Sequence, residues 1–229
     1  MHDGGAVGDT LRMRHPPPGQ SDQQRSAEAR RARATTDRVE AFSDGVIAVA
    51  ITLLVLTLTV PDPAKGDLTH ALLNNWPEYA AYLVSFATIG IVWVNHHAVF
   101  GLIERVDRWL LFLNLTLLLT ITLVPYTTNL VARTLVAGSG TAVAAVVYNG
   151  TFVVMGAAFQ GVFRYAVGRP GLRAAHVPED AIRGATLRFA LGAFVYPVAM
   201  VVAFFNAAAA LALDGAVAAY YALMAVEAM

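Results

Sequence analysis

An all-α integral membrane protein, with six transmembrane helices in one chain, is the fold class this sequence predicts, on three observations. Of its 229 residues 57% are hydrophobic and only 14% charged, against about a quarter charged in soluble domains. The mean hydropathy is +0.55. The apolar residues also gather into six windows of about 19 residues or more, each long enough at 1.5 Å per residue to cross a hydrocarbon core of roughly 30 Å.

The elements follow in order. Residues 1–35 hold Pro16, Pro17 and Pro18, several Gly, Ser and Gln, and few large apolar side chains. They read as a disordered, moderately basic tail ahead of a membrane domain over 36–229. The tail has no apolar h-region of a secretory signal. A first helix is expected to start at Asp37, whose side chain can cap it, with Glu40 three residues on completing a capping-box pattern. The six spans fall at about 38–60, 77–100, 108–132, 140–165, 184–204 and 206–226, the last two divided only by a short break at Asn206. Pro61, Pro63 and Pro77 mark the first connection, and Pro170 and Pro178 the longest.

Arginine placement sets the orientation. The segment before the first span, the second connection and the fourth carry fourteen of the sixteen basic residues, leaving Lys65 and Arg133 for the alternate side. That asymmetry predicts a multi-pass protein of the cell membrane with both termini cytoplasmic. A net charge of zero gives no basis for nucleic-acid binding. The absence of cysteine excludes disulfides and thiolate chemistry.

The stretch RVEAFSDGVIAVAITLLVLTLTVP, residues 38–61, places Asp44 at the mouth of an apolar run. An acid there costs on the order of 3 kcal/mol unless it meets a partner or water. Arg38 lies six residues before it, off the i,i+4 spacing of an intrahelical pair, so the partner is sought on another helix. The end of the second span, VWVNHHAVF, brings Trp93, Asn95, His96 and His97 to the same depth. Two readings stay open: a structural network tying two helices, or a direct part in gating or proton sensing. Adjacent His96 and His97 diverge by about 100°, which argues against a metal site. No cofactor is expected.

Arg38, Phe42, Ser43 and Asp44 form an R-x-x-x-F-S-D motif opening a first span that ends in LLVLTLTVP, and WVNHH closes the second. With these motifs the chain resembles the transmembrane protein 175 family, which comprises an endosomal and lysosomal potassium channel of animals and its bacterial relatives. The specific motifs lie in the first two spans, while the likeness in span number extends from about residue 35 to the end. The resemblance implies the single-repeat bacterial type: a homotetramer whose first helices line a central pore, permeable to potassium and other monovalent cations, with no enzymatic activity. It further implies a constriction at the positions five, nine and twelve after the motif aspartate, here Val49, Leu53 and Leu56. Valine stands where a larger isoleucine is usual, which shifts the weight of the constriction to Leu53 and Leu56.

Helical periodicity agrees with that placement without requiring it. At 100° per residue Val49, Leu53 and Leu56 cluster some 120–180° from Asp44, and Thr52 flanks them with a hydroxyl. A leucine stripe is equally the mark of packing or lipid contact. No TVGYG segment occurs, so selectivity must come from ring size, dehydration and fields. The alternative is a secondary transporter, or a proton-permeable membrane protein using Asp44, His96 and His97.

Overall fold

The computed structural model describes residues 18–62, 64, 66–174 and 179–227, and it is entirely helical in its named elements. Seven α-helices run in order: α1 Pro18–Leu53, α2 Leu68–Asn74, α3 Trp76–Gly101, α4 Arg108–Ala137, α5 Thr141–Val167, α6 Glu179–Ala203 and α7 Ala207–Glu227. Ser26–Thr57, Trp76–Gly101, Arg108–Ala137 and Thr141–Val167 are long and apolar enough to cross a membrane, and Phe194–Ala203 and Ala207–Leu223 are shorter apolar stretches.

The first helix departs from the sequence expectation. Asp37 does not cap it: α1 is already helical at Pro18 and runs through Asp37 without a break. Residues 1–17 of the expected tail lie outside the described residues. The segment from Gln20 to Ala34 is rich in Ala, Arg and Gln, all good helix formers. Tertiary bonds then hold it: Arg33 Nη1 donates to the Ile103 carbonyl at 3.0 Å and Thr36 Oγ1 to the Glu104 carbonyl at 3.2 Å. Arg33 also pairs with Asp37 at 3.0 Å, one turn on.

The acceptors Ile103 and Glu104 belong to the α3–α4 connection, which is itself bridged to the α5–α6 connection. Glu104 N donates to Leu172 O at 2.8 Å and Ala174 N to Leu102 O at 2.9 Å, around an antiparallel bridge between Ile103 and Arg173. The α1 extension and two loops are therefore one hydrogen-bonded assembly at the arginine-rich end of the bundle.

Local chemistry explains most other boundaries. Asp107 caps α4, accepting from Leu110 N at 2.8 Å. Gly138 and Gly140, with φ of 67° and 70°, make the tight reversal into α5 that a side-chain-bearing residue would resist. Asp67 caps the short α2, accepting from Thr69 N at 3.0 Å. That helix lies in the first connection, which the sequence pattern marks only as a loop.

Packing leaves α1 at the edge. The helix touches α3 and α4, whereas α4 also packs on α5, and α7 packs on α3, α5 and α6. Of the most apolar window of α1 only 22% is buried within the chain, against 44% for α4 and α5. An apolar helix so sparsely covered needs lipid or another subunit against its bare face.

Candidate functional site

Two faces of α1 define the site. Ser43, Ile47, Ala50, Leu54 and Thr57 are buried, a stripe at helical spacing turned toward α3 and α4. On other sides Phe42 is 56% exposed, Val49 58%, Leu53 44% and Leu56 75%. The three side chains expected to form a constriction thus share an uncovered face of the chain, with Val55 also bare.

The helix tightens where that face ends. Leu54–Thr57 form a 3-10 turn following Leu53, and side chains three apart eclipse in such a turn. Leu53 and Leu56 therefore stand more nearly one above the other than the 100° rule implies. Thr52 is exposed on the same stretch, with its hydroxyl donating to Val49 O at 2.8 Å, which leaves its oxygen lone pairs for other partners. The turn is held from behind: Thr59 N donates to Glu78 Oε2 at 2.6 Å and Asn129 Nδ2 to Thr57 O at 3.2 Å. Glu78, itself buried, sits in the first turn of α3, where the helix dipole favours an acid.

The polar residues at the opposite end of α1 are arranged differently from the expectation. Asp44 meets neither histidine. Its Oδ1 accepts from Trp93 Nε1 at 2.9 Å, in a partly exposed position. His97 Nδ1 instead contacts Glu40 Oε1 at 2.8 Å, with the His97 side chain 69% exposed. Arg38 is exposed and has no side-chain partner among the described residues. Glu40 and Asp44 lie one turn apart on the same side of α1, as His97 and Trp93 do on α3, so the two pairs form successive rungs at different depths, while Ser43 turns toward Asn114 of α4.

His96 belongs to a buried chain centred on a residue that no motif singles out. Asn114 of α4 donates from Nδ2 to Ser43 Oγ at 2.8 Å, and its Oδ1 lies 2.9 Å from His96 Nε2. Ser43 in turn donates to Val39 O at 2.9 Å. With the amide so oriented, the Nε2–H tautomer of His96 completes the chain. Its Nδ1 has no partner, and the ring stacks on Phe100 at 4.4 Å between centroids. Ser43, His96 and Asn114 are nearly inaccessible, and with the Asp44–Trp93 and Glu40–His97 pairs they form a polar girdle around this end of α1. The only signal in the sequence is a lone asparagine inside RWLLFLNLTLLL, where an amide needs partners. Asn95, the remaining motif residue, lines an apolar pocket with Thr88, Phe152, Gln160 and Tyr196.

Beside this girdle, Asp107 accepts from Leu110 N and from Tyr165 Oη, each at 2.8 Å, with Arg169 Nη1 at 4.0 Å. Partial desolvation opposes ionisation, but those two donors and the Arg169 charge together hold the carboxyl below its ordinary value. No group of three or more potential metal ligands occurs among the described residues.

Comparison with known proteins places this geometry. The sequence profile of the family described as endosomal/lysosomal potassium channel TMEM175 matches residues 38–125, the stretch holding both faces of α1 and the Asn114 chain. The chain is 47% identical over 185 residues to a potassium channel of Streptomyces collinus, covering 80% of this chain and 90% of that protein. Over a shorter stretch of 87 residues it is 42% identical to the endosomal/lysosomal proton channel TMEM175 of Homo sapiens, covering 34% of this chain and 17% of that protein. Its structure is similar, at a TM-score of 0.74 and 36% identity, to the crystal structure of a lysosomal potassium-selective channel TMEM175 homolog from Chamaesiphon minutus, covering 83% of this chain and 98% of that one.

Proposed function

The chain belongs to the TMEM175 family, a family of membrane ion channels rather than enzymes, and on that premise we propose that it is a potassium-permeable cation channel with its pore lined by α1. The observation that carries the reading is the bare apolar face of α1 opposite a packed one. Six spans and cytoplasmic termini follow from the apolar windows and the arginine asymmetry. One such chain cannot enclose a pore, and four copies around a closed symmetry axis are the simplest way to cover the face with itself.

Val49, Leu53 and Leu56 then form successive apolar rings, the last two closely stacked by the 3-10 turn. An ion passes such rings by shedding part of its hydration shell, which costs least for the more weakly hydrated cation. This favours potassium over sodium without a carbonyl filter, and by a modest margin. Thr52 offers an oxygen beside the narrowest part. Asp44, bonded to Trp93 and turned away from the rings, braces α1 against α3.

The proton-permeable alternative rests on Asp44, His96 and His97 acting together. These three side chains each bond elsewhere, so the cluster offers no relay of its own. Proton passage enters as an arm of the test because the human relative is named a proton channel. Purified protein in planar bilayers, under bi-ionic potassium/sodium gradients and then a pH gradient, should give a reversal potential set by potassium. No current refutes the channel, and a reversal potential that follows pH alone replaces potassium with the proton.

A further inference from the structure

Asp214, the eighth residue of α7, takes no part in the α1 face or the girdle, and it is fully buried. Neither of its carboxyl oxygens has a hydrogen-bond partner, and neither offers measurable surface to water. Asn149 of α5 lies against this carboxyl and is itself buried. The Asn149 amide nitrogen donates to Ala145 O at 3.0 Å, while its Oδ1 also lacks a partner. Turning the amide over would set that oxygen against the Ala145 carbonyl, so its orientation is fixed. Three oxygens without a well-formed hydrogen bond thus lie in one dry neighbourhood, with the second Asn149 amide N–H as the nearest side-chain donor.

The nearby hydroxyl protons are already committed. Thr128 donates to Val124 O at 2.7 Å, so the Ser85 hydroxyl proton goes to Thr128 Oγ1, 2.7 Å away. The Tyr148 proton must then go to Ser85 Oγ, 2.9 Å away. Thr88, beside the Tyr196 hydroxyl, donates its own proton to Val84 O at 2.8 Å. Tyr148 on α5 and Tyr196 on α6 are the titratable groups facing Asp214 among the described residues, and Tyr148 spends its donor on Ser85. On the α3 side Val84 packs here, its Cγ2 only 3.2 Å from where a Cβ on Gly215 would stand.

A fully buried ionised carboxylate with no well-aligned donor is strongly disfavoured. A bound proton resolves the conflict by turning one of the carboxyl oxygens into a donor. We propose that Asp214 is a proton-binding site, carried as an un-ionised acid whose hydroxyl donates to Asn149 Oδ1 and so fastens α7 to α5. The site stands apart from the pore, and its test does not depend on conduction.

The test is infrared difference spectroscopy of the purified full-length protein in lipid nanodiscs at neutral pH, wild type minus Asp214→Asn. The expected difference is a protonated carboxylic C=O stretch that shifts in heavy water. A difference made only of carboxylate stretches overturns the proposal. Asp214→Asn, which supplies an N–H where the acid has an O–H, should keep the parent's thermal midpoint. Asn149→Leu removes the acceptor and should move the acid band to the frequency of a free carboxyl; an unmoved band overturns the pairing. In alkaline buffer the wild-type band should fade together with the thermal midpoint, and this signal carries the test if Asp214→Asn yields little protein. A band already absent from the wild type at neutral pH also refutes the site.

Discussion

Leu53 and Leu54 are neighbours in sequence and opposites in surroundings: Leu53 is 44% exposed and Leu54 0%. Leu54→Ala should therefore leave a cavity among α1, α3 and α4 and cost about 2–5 kcal/mol, read as a lower thermal midpoint. Leu53→Ala should be nearly silent in stability and should raise unitary conductance while weakening potassium preference in bilayer recordings. The reverse pattern would show the face assignment to be wrong. The girdle separates its members in the same way. Among the described residues Asn114→Leu removes the one partner of His96 Nε2 and one of the two partners of Ser43 Oγ, leaving buried polar atoms at about 1–3 kcal/mol each. Asp44→Asn keeps an acceptor for Trp93 in a partly exposed place and should cost under about 1 kcal/mol. The sequence alone suggests a buried charged pair at Asp44, where loss of one member costs about 3–5 kcal/mol. The neutral Trp93 partner lowers that figure. Thermal melts of both variants decide the ranking, with Asn114→Leu expected to be the worse.

At the scale of elements, Asp107 links three of them: it caps α4, receives the Tyr165 hydroxyl of α5 and lies near Arg169 in the following loop. Its folded carboxyl titrates below the ordinary 3.8. A depressed value means that the ionised form stabilises the fold: the contribution is complete above that ordinary value and is lost as pH falls through the lower, folded one. Wild type should thus lose thermal stability on acidification in that window more steeply than Asp107→Asn, which keeps a capping oxygen but cannot titrate. Parallel slopes would remove Asp107 as a contributor. The same element shows what the sequence carried and what it hid. The Asp107 cap precedes an apolar run and the Gly138 and Gly140 stop follows it, all local signals, so the span expected over 108–132 lies within the observed Arg108–Ala137. The start of α1 was hidden because residues 18–37 have no apolar periodicity. Their helix is anchored by Arg33 and Thr36 to carbonyls some seventy residues away, and no local pattern encodes such bonds. The Trp93 partner of Asp44 was hidden for a related reason: the axial register between α1 and α3 is set by tertiary packing, and it brings Trp93, one turn before His97 on the same face, level with Asp44.

For the whole molecule the decisive quantity is what covers α1. Val49, Leu53 and Leu56 are bare in the single chain, and lipid tails would cover leucine and valine as well as another helix would. Apolarity therefore cannot choose between lipid and a second copy. Thr52, Asp44 and Trp93 add a reason to prefer protein, because a partly exposed acid and a bare hydroxyl are poorly placed against hydrocarbon. Four α1 helices facing an axis would instead give Thr52 a water-filled lumen, while lipid would touch the outward sides of α3 through α7. The arginine-rich extensions, fixed to the loops by Arg33 and Thr36, would continue the same symmetric arrangement outside the bilayer. Native mass spectrometry from mild detergent should show four chains as the main species. That species should survive Leu53→Ala, since truncating a pore-facing side chain removes little contact between copies. It should weaken in Val55→Trp: Val55 is bare, yet in the 3-10 turn it stands about 120° from Leu53, where four α1 helices around an axis would turn it toward the adjoining copy. A monomer or dimer as the largest assembly of the parent would leave the α1 face to lipid and sink the shared pore.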